Sequence, residues 1–530
     1  MRLWQYIYKP VLKNFSSLEK ESIQDVWVSP AKRIKSLVNE TNFSFLGSQE
    51  NYIELGWKSK TKEILWLYNL HYFDYLNSHD SNQRKPFHKD IISHWIENNN
   101  DLSGIGFHPY PTSLRIVNWI KWDLSTNQAS EDMIASISTQ SRWLSKNIEW
   151  HILGNHLFTN AKALIFAGLY LKGPEAEIWF KKGIKIVKKE INNQILQDGG
   201  NFELSPMYHS IFYEDILDLI NIFRTYPKKA THEMNNSLEI CAKKMGFWLD
   251  TMLHPDDEIS FFNDAAFNIA PSPAELKKYT HRLGLKSLQS KKRVDFNYIH
   301  LADSGYIKIN STDLSAILDC AKIGPDHLPS HAHADTLSFE LSLFQKRLIV
   351  NGGTSKYGDD YKRNLERSTS SHSTVEINNR SSSKVWGGFR VANRAYPFDL
   401  QINESKNSIF VGCSHNGYSN LRNKLIHRRE WDFKINSFKV KDIIFGKYNN
   451  AISRFIIHPD WKIKLVSNYL AEISLSPDKI INFESENIIT KLSFTKFSPE
   501  FGKSYNANTI EIKIPRKENQ VSFSWQPIKK

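Results

Sequence analysis

Cysteine is nearly absent from this sequence of 530 residues, and the three that it contains, Cys241, Cys320 and Cys413, are far apart. An odd number of widely spaced cysteines gives neither a disulfide framework nor a cysteine-ligated zinc site. We therefore expect three buried thiols.

Long apolar runs are missing as well. No window approaches the run of about eighteen apolar residues that a membrane span requires. The first residues, MRLWQYIYKPVLKN, are basic but lack the apolar core and the cleavage site of a signal peptide. The sequence therefore predicts no membrane span and a cytoplasmic location by default, with a periplasmic or surface location as the alternative.

Acidic residues are outnumbered by basic ones, which gives a formal net charge of +13. The basic residues are spread along the chain and no nucleic-acid-binding signature is present, so no nucleic acid partner is expected. Because aromatic residues make up 13% of the chain, an acidic polysaccharide fits both the charge and the flat side chains. A basic surface that only faces solvent is the alternative.

The hydrophobic pattern divides the chain. Between Trp57 and Leu283 apolar residues recur at spacings of three and four, as in AKALIFAGLYL, which predicts an array or toroid of helices. Near Asn297 short runs of alternating apolar and polar residues begin, such as SGYIKINS, and these predict an antiparallel β-sandwich. We therefore predict an irregular or helical lead-in (1–50), a helical toroid (51–290) and an antiparallel β-sandwich (291–530).

Two motifs of the helical half place polar side chains at helix starts. In EWHILGNHLFTNAKAL, Gly154 predicts a helix stop, with Asn155 and His156 at the start of the next helix; Asn155 as a simple N-cap is the alternative. In DGGNFELSPMYH, Pro206 predicts a first helical turn that carries Tyr208. There the helix-end potential would favour phenolate and ease proton transfer, whereas the alternative is a tyrosine that only packs its ring.

Histidines are concentrated in HLPSHAHADTLSFE, which leads into a segment typical of a half-buried strand. On an extended backbone the imidazoles of His331 and His333 would point to the same face. His333 and His372 with one oxygen ligand would form an open zinc site. The nearest oxygen donors in the sequence are Asn351 and Asp335.

Aromatic and basic residues are interleaved in GFHPYPTSLR and VWGGFR. Such segments suit stacking on sugar rings and pairing with carboxylates, although an ordinary aromatic core has the same composition. The candidates for substrate contact in these segments are His108, Tyr110, Arg115, Trp386 and Arg390.

In this order, GNHLFTNAKAL, DGGNFELSPMYH, HAHADTLSFEL and RSTSSHSTV resemble the heparinase II/III-like polysaccharide lyases. The resemblance implies an incomplete α/α toroid followed by an antiparallel β-sandwich. It also implies an enzyme, a carbon–oxygen lyase that cleaves a uronate-containing glycan by β-elimination. A role in bacterial surface polysaccharide metabolism would fit the absence of a signal peptide.

The resemblance also assigns roles to residues. Asn155 resembles the asparagine that neutralises the substrate carboxylate, and His156 its neighbour. Tyr208 resembles the tyrosine that protonates the leaving oxygen, and His331 the histidine that acts with it. Glu203, in the same motif as Tyr208, is a further candidate for substrate contact.

The same resemblance implies structural Zn²⁺ at His333, Asn351 and His372. Relatives carry an aspartate where this chain has Asn351, and a neutral amide is a weaker zinc ligand than a carboxylate.

Elimination itself requires no external cofactor. A donor such as Asn155, helped by Arg115, would hold the substrate carboxylate, and His331 or the phenolate of Tyr208 would remove the C5 proton. Two other functions remain open. One is a glycoside hydrolase with Glu203 or Glu214 as the acid, and the other is a non-catalytic glycan-binding or polysaccharide-assembly protein.

Overall fold

The structure, a computed structural model, describes residues 16–229, 232–286, 296–419 and 424–526. The first fifteen residues of the predicted lead-in therefore lie outside the described residues. From residue 16 to residue 41 the described chain has no helix, and two short paired strands follow.

Helices account for most of the described chain up to Arg282. Their bounds are α1 Tyr52–Leu55, α2 Ile64–Tyr72, α3 Lys85–Asn98, α4 Pro109–Thr126, α5 Glu131–Lys146, α6 Gly154–Tyr170, α7 Pro174–Gln194, α8 Pro206–Thr225, α9 His232–Thr251, α10 Pro273–Arg282 and, later in the chain, α11 Tyr361–Glu366.

Strands account for most of the described chain after residue 295. Their bounds, with the early pair included, are β1 Asn42–Phe45, β2 Ser48–Asn51, β3 Phe296–Leu301, β4 Tyr306–Ser311, β5 Leu314–Asp319, β6 Phe339–Leu343, β7 Lys346–Ile349, β8 Val375–Ile377, β9 Lys384–Trp386, β10 Arg390–Ala392, β11 Pro397–Glu404, β12 Ser408–His415, β13 Ile426–Lys434, β14 Ser437–Phe445, β15 Ala451–Ile457, β16 Lys462–Leu465, β17 Leu470–Ser476, β18 Lys479–Ser485, β19 Ile489–Phe497, β20 Tyr505–Lys513 and β21 Glu518–Trp525.

The chain divides into two compact units that cut across the predicted boundary at residue 290. The helical unit comprises Met1–Ile195, Ile211–Lys243 and Ala274–Lys286, whereas the sheet unit comprises Leu196–Ser210, Lys244–Pro273 and Ser287–Lys530. Two segments of the predicted toroid, Leu196–Ser210 and Lys244–Pro273, thus belong to the sheet unit. Hydrophobic periodicity could not show this because it reports local structure and not long-range contact.

Buried charges hold three helices of the helical unit together. Lys121 of α4 and Lys162 of α6 both bind Asp218 of α8, with Nζ to Oδ2 distances of 2.9 and 2.6 Å. Glu214, one turn earlier on α8, accepts from Lys121 at 3.3 Å and from Arg33 at 2.5 Å. Opposite charges that are buried together must remain paired, so these contacts fix the register of the helices.

The sheet unit contains two large antiparallel sheets in the part of the chain that is described. One has the strand order β19-β20-β15-β7-β6-β5-β4-β3, with β8 added beside β15, and the other has the order β11-β12-β13-β14-β21-β18-β17-β16. Side chains from both sheets, among them Leu341, Phe339, Trp431 and Phe438, form one buried apolar core. This is the packing of a β-sandwich.

Strand β6 is buried on both faces, although the sequence predicted a half-buried strand. One face packs into the sandwich core through Phe339 and Leu341. On the other face, Glu340 and Ser342 hydrogen-bond the two ring nitrogens of His254 at 2.9 and 2.7 Å. Polar residues in this strand are therefore satisfied inside the unit and do not face solvent.

The cysteines follow the prediction in part. Cys320 and Cys413 are buried in the sandwich core, whereas Cys241 on α9 is only half-buried.

Candidate active site

A tight turn positions the start of α8 in the sheet unit. Asp198 accepts a hydrogen bond from the backbone N–H of Gly200 at 3.0 Å and two from Ser304 at 2.7 and 2.8 Å. Gly199 has φ +92°, and a Cβ there would meet the carbonyl oxygen of Lys244 at 2.4 Å. The turn predicted from Asp-Gly-Gly is confirmed, and the close approach of α9 explains why only glycine fits.

Tyr208 lies in the first turn of α8, as the sequence predicted. The helix begins at Pro206, and the hydroxyl of Ser205 accepts from the Tyr208 N–H at 3.2 Å. Ser205 also donates to the carbonyl of Asp264 at 2.5 Å. The helix start is therefore tied to a loop that the sequence did not single out.

The rings of Tyr208 and His331 are in contact. Their centroids lie 3.8 Å apart with 29° between the planes, so the two rings are stacked. A hydrogen bond of 2.8 Å joins the hydroxyl of Tyr208 to that of Tyr357. Two residues that the resemblance paired thus do meet, and Tyr357 is a third member that sequence reasoning missed.

One carboxylate binds both histidines of the HAH motif. Asp264 Oδ2 lies 2.9 Å from His331 Nδ1, and its Oδ1 lies 2.9 Å from His333 Nε2. The backbone N–H of Asp264 also donates to the carbonyl of His331 at 2.9 Å. The two imidazoles therefore converge on one group, as their shared face suggested, although these residues belong to a loop and not to a strand.

Asp264 is itself held as an anion. The Arg363 guanidinium binds both of its oxygens, one of them at 2.6 Å, and Thr354 donates to Oδ1 at 3.3 Å. Burial alone would raise the pKa of Asp264, but Arg363, His331 and His333 together hold it well below its usual value. A bidentate arginine of this kind fixes both the position and the charge of a carboxylate.

The anion determines which ring nitrogen of His331 is free. Because Asp264 only accepts hydrogen bonds, His331 must donate from Nδ1, and Nε2 then carries the lone pair. Nε2 lies 3.9 Å from Glu203 Oε2. His331 thus presents a base whose tautomer and orientation are set by a buried carboxylate.

Tyr208 is held as a neutral phenol, which differs from the sequence prediction. Burial raises its pKa well above the usual value, and Tyr357 and Asp264 raise it further. The positive end of α8 is therefore outweighed by burial and by nearby negative charge. Tyr208 suits a proton donor, which leaves His331 as the stronger candidate for the base.

His333 and His372 face each other with unshared electron pairs. His333 donates from Nε2 to Asp264, and His372 donates from Nδ1 to the carbonyl of Ser368 at 2.7 Å. The remaining nitrogens, His333 Nδ1 and His372 Nε2, lie 3.1 Å apart. Burial lowers the pKa of His333 to about 4 and that of His372 to about 3, so a shared proton is costly and a cation would suit this position.

A second histidine pair of the sheet unit shows the opposite pattern. His427 donates from Nε2 to Asp442 at 2.9 Å, and its Nδ1 lies 3.2 Å from His415 Nε2. His415 accepts the backbone N–H of Gly417 at Nδ1, at 3.1 Å, so its Nε2 carries the proton that His427 needs. This chain of hydrogen bonds is complete without any cation.

Zinc fits the first pair in part. Tetrahedral zinc with nitrogen ligands at about 2.0–2.1 Å would hold them roughly 3.3 Å apart, close to the observed separation. The third predicted ligand, Asn351, is fully buried; its Oδ1 lies 3.4 Å from the Ser373 N–H and its Nδ2 donates to Ser338 at 3.3 Å. Asp335, the alternative oxygen donor, accepts from the backbone of Asn263 at 3.1 Å.

No cluster of three His, Cys, Asp or Glu side chains suited to a metal occurs among the described residues. The described residues therefore offer the two facing imidazole nitrogens of His333 and His372 at this position.

The helical unit places Asn155 and His156 at a helix start as predicted, in the first turn of α6. Gly154, however, begins this helix and does not stop the previous one, which ends at Lys146. The helix begins at Gly154, with Leu153 rather than Asn155 at the N-cap position. His156 lies 3.2 Å through Nδ1 from Glu149 Oε1, and its ring lies 4.4 Å from that of Tyr110. The simple N-cap alternative for Asn155 is thus excluded, and its half-buried amide stays a candidate for ligand contact.

Arg115 does not occupy the position expected of a substrate ligand. It is fully buried, donates from Nε to Gln140 at 2.8 Å and stacks on the ring of Trp95 at 3.9 Å. These contacts belong to the helix core, so the position argues against direct contact with a substrate carboxylate. His108 is half-buried and lies 2.7 Å through Nδ1 from the hydroxyl of Tyr68.

The two carboxylates proposed for a hydrolase differ in their surroundings. Glu214 is buried in the ion network of the helical unit, bound by Lys121 and Arg33, which argues against a role as a general acid. Glu203 is buried in the sheet unit near His331.

Trp386 and Arg390 are exposed on the hairpin formed by β9 and β10, where they pair directly across the strands. The guanidinium of Arg390 lies over the Trp386 ring at 4.7 Å. At the hairpin tip, the Phe389 ring lies 6.0 Å from the His331 ring, and the carbonyl of Gly388 accepts from Arg363 at 3.2 Å. The hairpin is therefore anchored at the Tyr208–His331 pair.

Two family matches cover most of the chain. Heparinase II/III N-terminus matches residues 119–282, and Heparinase II/III-like, C-terminal matches residues 294–526. The chain belongs to the heparinase II/III-like family. The resemblance read from the motifs is thereby confirmed.

Curated relatives of this family member are heparin-sulfate lyases. One from Bacteroides stercoris is 28% identical over 298 residues, which cover 49% of this chain and 42% of the relative. Another from Bacteroides thetaiotaomicron is 24% identical over 397 residues, which cover 64% of this chain and 52% of the relative. The chain thus spans about half the length of the curated relatives that it matches.

Solved structures of similar fold extend over more of the chain. Heparan sulfate lyase HepC from Pedobacter heparinus matches with a TM-score of 0.60 and 18% identity, over 92% of this chain and 82% of that one. Heparinase III matches with a TM-score of 0.68 and 17% identity, over 88% of this chain and 78% of that one. The predicted combination of an α/α toroid and an antiparallel β-sandwich is confirmed.

The family member shows no helix, in the part of the chain that is described, that is long and apolar enough to cross a membrane.

Proposed function

We propose that this protein is a polysaccharide lyase that cleaves a uronate-containing glycan by β-elimination, with His331 as the base and Tyr208 as the acid. The observation that carries the proposal is the contact of 2.9 Å between His331 Nδ1 and the Asp264 carboxylate. It leaves Nε2 as an acceptor next to a tyrosine that is held protonated.

The two proton transfers of elimination match these two groups. His331 Nε2 removes the C5 proton of the uronate, the electron pair of that bond forms the C4–C5 double bond, and the C4–O4 bond breaks. Tyr208 supplies the proton that O4 needs on leaving. Each such transfer is worth about 10²- to 10⁴-fold in rate.

The imidazolium that forms on His331 is stabilised by Asp264. This carboxylate stays ionised because Arg363 binds it, so it can offset the new positive charge without taking the proton. Tyr357 hydrogen-bonds the Tyr208 hydroxyl at 2.8 Å and can stabilise the phenolate left after proton transfer.

The resemblance to the family assigns neutralisation of the substrate carboxylate to Asn155, with His156 beside it in the helical unit. A C5 proton becomes acidic enough for His331 only when the adjacent carboxylate is held by donors. The orientation of His156 by Glu149 supports a defined role for this helix start.

We further propose a structural zinc ion between His333 and His372, with Asn351 as the oxygen donor. Zinc would supply charge that keeps the two facing nitrogens together and braces the loop that carries His331. The elimination steps themselves are carried out by His331 and Tyr208.

The substrate that we propose is an acidic glycan of the heparan sulfate class. The curated relatives are named heparin-sulfate lyases, and the net charge of +13 suits a polyanion. Purified protein should release unsaturated uronate products from heparan sulfate, followed by ultraviolet absorbance of the new double bond. If wild type produces no such absorbance from any uronate glycan in a panel, the lyase proposal is wrong.

The two alternative functions give different products. Hydrolysis would create reducing ends without ultraviolet absorbance, because the sugars remain saturated. A non-catalytic glycan-binding protein would bind heparan sulfate with no turnover, and His331→Ala would leave that binding unchanged.

A further inference from the structure

A polar cavity of about 300 Å³ lies in the sheet unit at the base of the β9–β10 hairpin. The side chains around it that matter here are Arg380, Ser381, Ser383, Lys384 and Asn393. None of them belongs to the Tyr208–His331 pair, to Asp264 or to the His333–His372 pair. The volume is at the lower end of the range for small-molecule sites, which suits one group of a larger ligand.

The charge of the lining is positive. It contains the cationic side chains of Arg380 and Lys384, both exposed, and no carboxylate among the described lining residues. An anionic group in this cavity would meet no repulsion from its described walls and would be attracted by two cations.

Hydroxyl donors complete the wall. Ser383 is buried to 1% exposure, and its Oγ accepts the backbone N–H of Ala395 at 2.8 Å. Ser381 accepts the N–H of Thr369 in the same way at 3.1 Å. Each oxygen is thus fixed by the main chain while its hydrogen remains able to donate, which makes the wall rich in donors.

The hairpin connects this cavity to the candidate active site. Lys384 pairs with Ala392 at its base, and Phe389 at its tip lies against His331. At a rise of about 3.3 Å per residue, base and tip are about 10 Å apart. A glycan bound at His331 can therefore run along Trp386 and Arg390 and reach the cavity with a later sugar.

We propose that this cavity is an anion-binding subsite, which takes a sulfate or carboxylate group of a sugar at some distance from the bond that is cleaved. The inference rests on the proposed function for the identity of the ligand. Charge-assisted hydrogen bonds from a guanidinium, an ammonium and hydroxyls are the contacts that such groups prefer. The subsite would contribute affinity and selection of the substituted chain, and not the chemical step.

The test compares two double variants that remove the same charge. R380Q/K384Q changes the cavity, and K406Q/R516Q changes two exposed cations elsewhere in the sheet unit. Binding of a heparan sulfate tetrasaccharide and of its fully desulfated form is measured by calorimetry, with Tyr208→Phe in every protein so that the ligand is consumed much more slowly than by wild type. Turnover is measured separately with Tyr208 intact.

We expect R380Q/K384Q to weaken tetrasaccharide binding by about tenfold or more and to raise KM with kcat nearly unchanged, because charged hydrogen bonds are lost. The control variant should change affinity by less than about twofold at physiological salt. If R380Q/K384Q loses affinity only for the sulfated tetrasaccharide, the cavity binds sulfate. If it loses affinity equally for the sulfated and the desulfated form, the cavity binds the carboxylate.

Two results would refute the subsite. One is unchanged tetrasaccharide affinity in R380Q/K384Q. The other is an equal loss of affinity in K406Q/R516Q, which would indicate only a general attraction between the basic protein and the anionic glycan. The outcome is separable from the lyase proposal. If R380Q/K384Q weakens binding but wild type shows no turnover, the lyase proposal is wrong and the subsite is supported. If turnover is normal but R380Q/K384Q binds as tightly as the protein with an intact cavity, the subsite is wrong and the lyase proposal is supported.

Discussion

The imidazole of His331 lies stacked on the phenol of Tyr208, with 3.8 Å between the ring centroids. Asp264 fixes the first ring and Tyr357 hydrogen-bonds the second, so neither can turn away without losing a partner. If His331 is the base and Tyr208 the acid, as we propose, two groups in contact with each other would approach a bound sugar from the same side. This relationship gives the proposed reaction a defined stereochemistry.

We therefore expect syn elimination, with a preference for D-glucuronate over L-iduronate. In glucuronate the C5 hydrogen and O4 lie on the same face of the ring, whereas in the C5 epimer they lie on opposite faces. Oligosaccharides with a single uronate of either kind, followed by ultraviolet absorbance, would measure the preference. Equal rates on both epimers would contradict a single-face arrangement.

Tyr208→Phe should lower kcat by about 10²- to 10⁴-fold, because the phenol that we propose as the proton donor to O4 is removed while its ring remains stacked on His331. Tyr357→Phe removes only the hydrogen bond to that phenol and should cost about tenfold. Steady-state kinetics on heparan sulfate would compare the two. If Tyr357→Phe proved the more damaging, the roles of the two tyrosines would have to be exchanged.

Asp264→Asn should reduce kcat by about 10²-fold or more and also destabilise the fold. The amide cannot accept from His331, His333 and Arg363 together, so the orientation of His331 is lost. A buried Arg363 without its anion costs about 3–5 kcal/mol of unfolding free energy. Kinetics and urea unfolding would be measured on the same preparation.

Asp442→Asn is the matched control for that experiment. Asp442 is also a buried carboxylate held by an arginine and a histidine, since Arg429 binds both of its oxygens at 2.7 and 2.9 Å and His427 binds one at 2.9 Å. Asp442→Asn should lower the free energy of unfolding by about as much as Asp264→Asn does, but it should leave kcat unchanged. A comparable loss of kcat would mean that Asp264 acts through stability alone.

Sequence reasoning found the fold and the residues whose local setting is distinctive. The change of period near Asn297 located the sheets, and Pro206 and Gly154 located the two helix starts that carry Tyr208 and Asn155. These features are set by neighbours within a few residues, and that is the range over which hydrophobic spacing and turn chemistry are informative.

Sequence reasoning missed the residues that hold His331 in place, and the reason is their distance along the chain. Asp264 lies 67 residues before His331 in the chain and Arg363 lies 99 residues after Asp264, so no spacing could link them. The burial of Arg115 was likewise invisible, because its partner Gln140 lies on another helix. Long-range partners also decided the protonation of Tyr208, where burial and Asp264 outweigh the helix end.

Purified protein should contain stoichiometric zinc, and a chelator should lower its thermal unfolding midpoint. The reason is that His333 Nδ1 and His372 Nε2 lie 3.1 Å apart and both carry a lone pair. The repulsion between these lone pairs is removed by a bound cation, or by a proton whose uptake burial makes unfavourable. Elemental analysis and a melting curve with and without chelator would check this. His372→Gln should lose the zinc. The control, His415→Gln, changes the histidine pair whose hydrogen bonds are complete without a cation, and it should keep the zinc. Zinc retained in His372→Gln would refute the proposed site.

His88 offers a test of acid sensitivity away from the candidate site. It is fully buried between the rings of Tyr75 and Trp122, and neither ring nitrogen has a hydrogen-bond partner among the described residues. Burial lowers its pKa to about 3, with Arg84 and Lys85 acting in the same direction. As pH falls below about 6.5, His88 becomes protonated in the unfolded chain but stays neutral in the folded chain. The free energy of unfolding therefore decreases with falling pH.

His88→Phe should therefore remove about 1.4 kcal/mol per pH unit from the acid dependence of unfolding between about pH 6 and pH 4. At neutral pH it should be at least as stable as wild type, because two unsatisfied buried nitrogens disappear and an aromatic ring remains. Urea unfolding across this pH range would measure both effects. The exposed His151, changed to Phe in the same unit, is the matched control for the substitution itself. An unchanged acid slope in His88→Phe would mean that His88 is not kept neutral by burial.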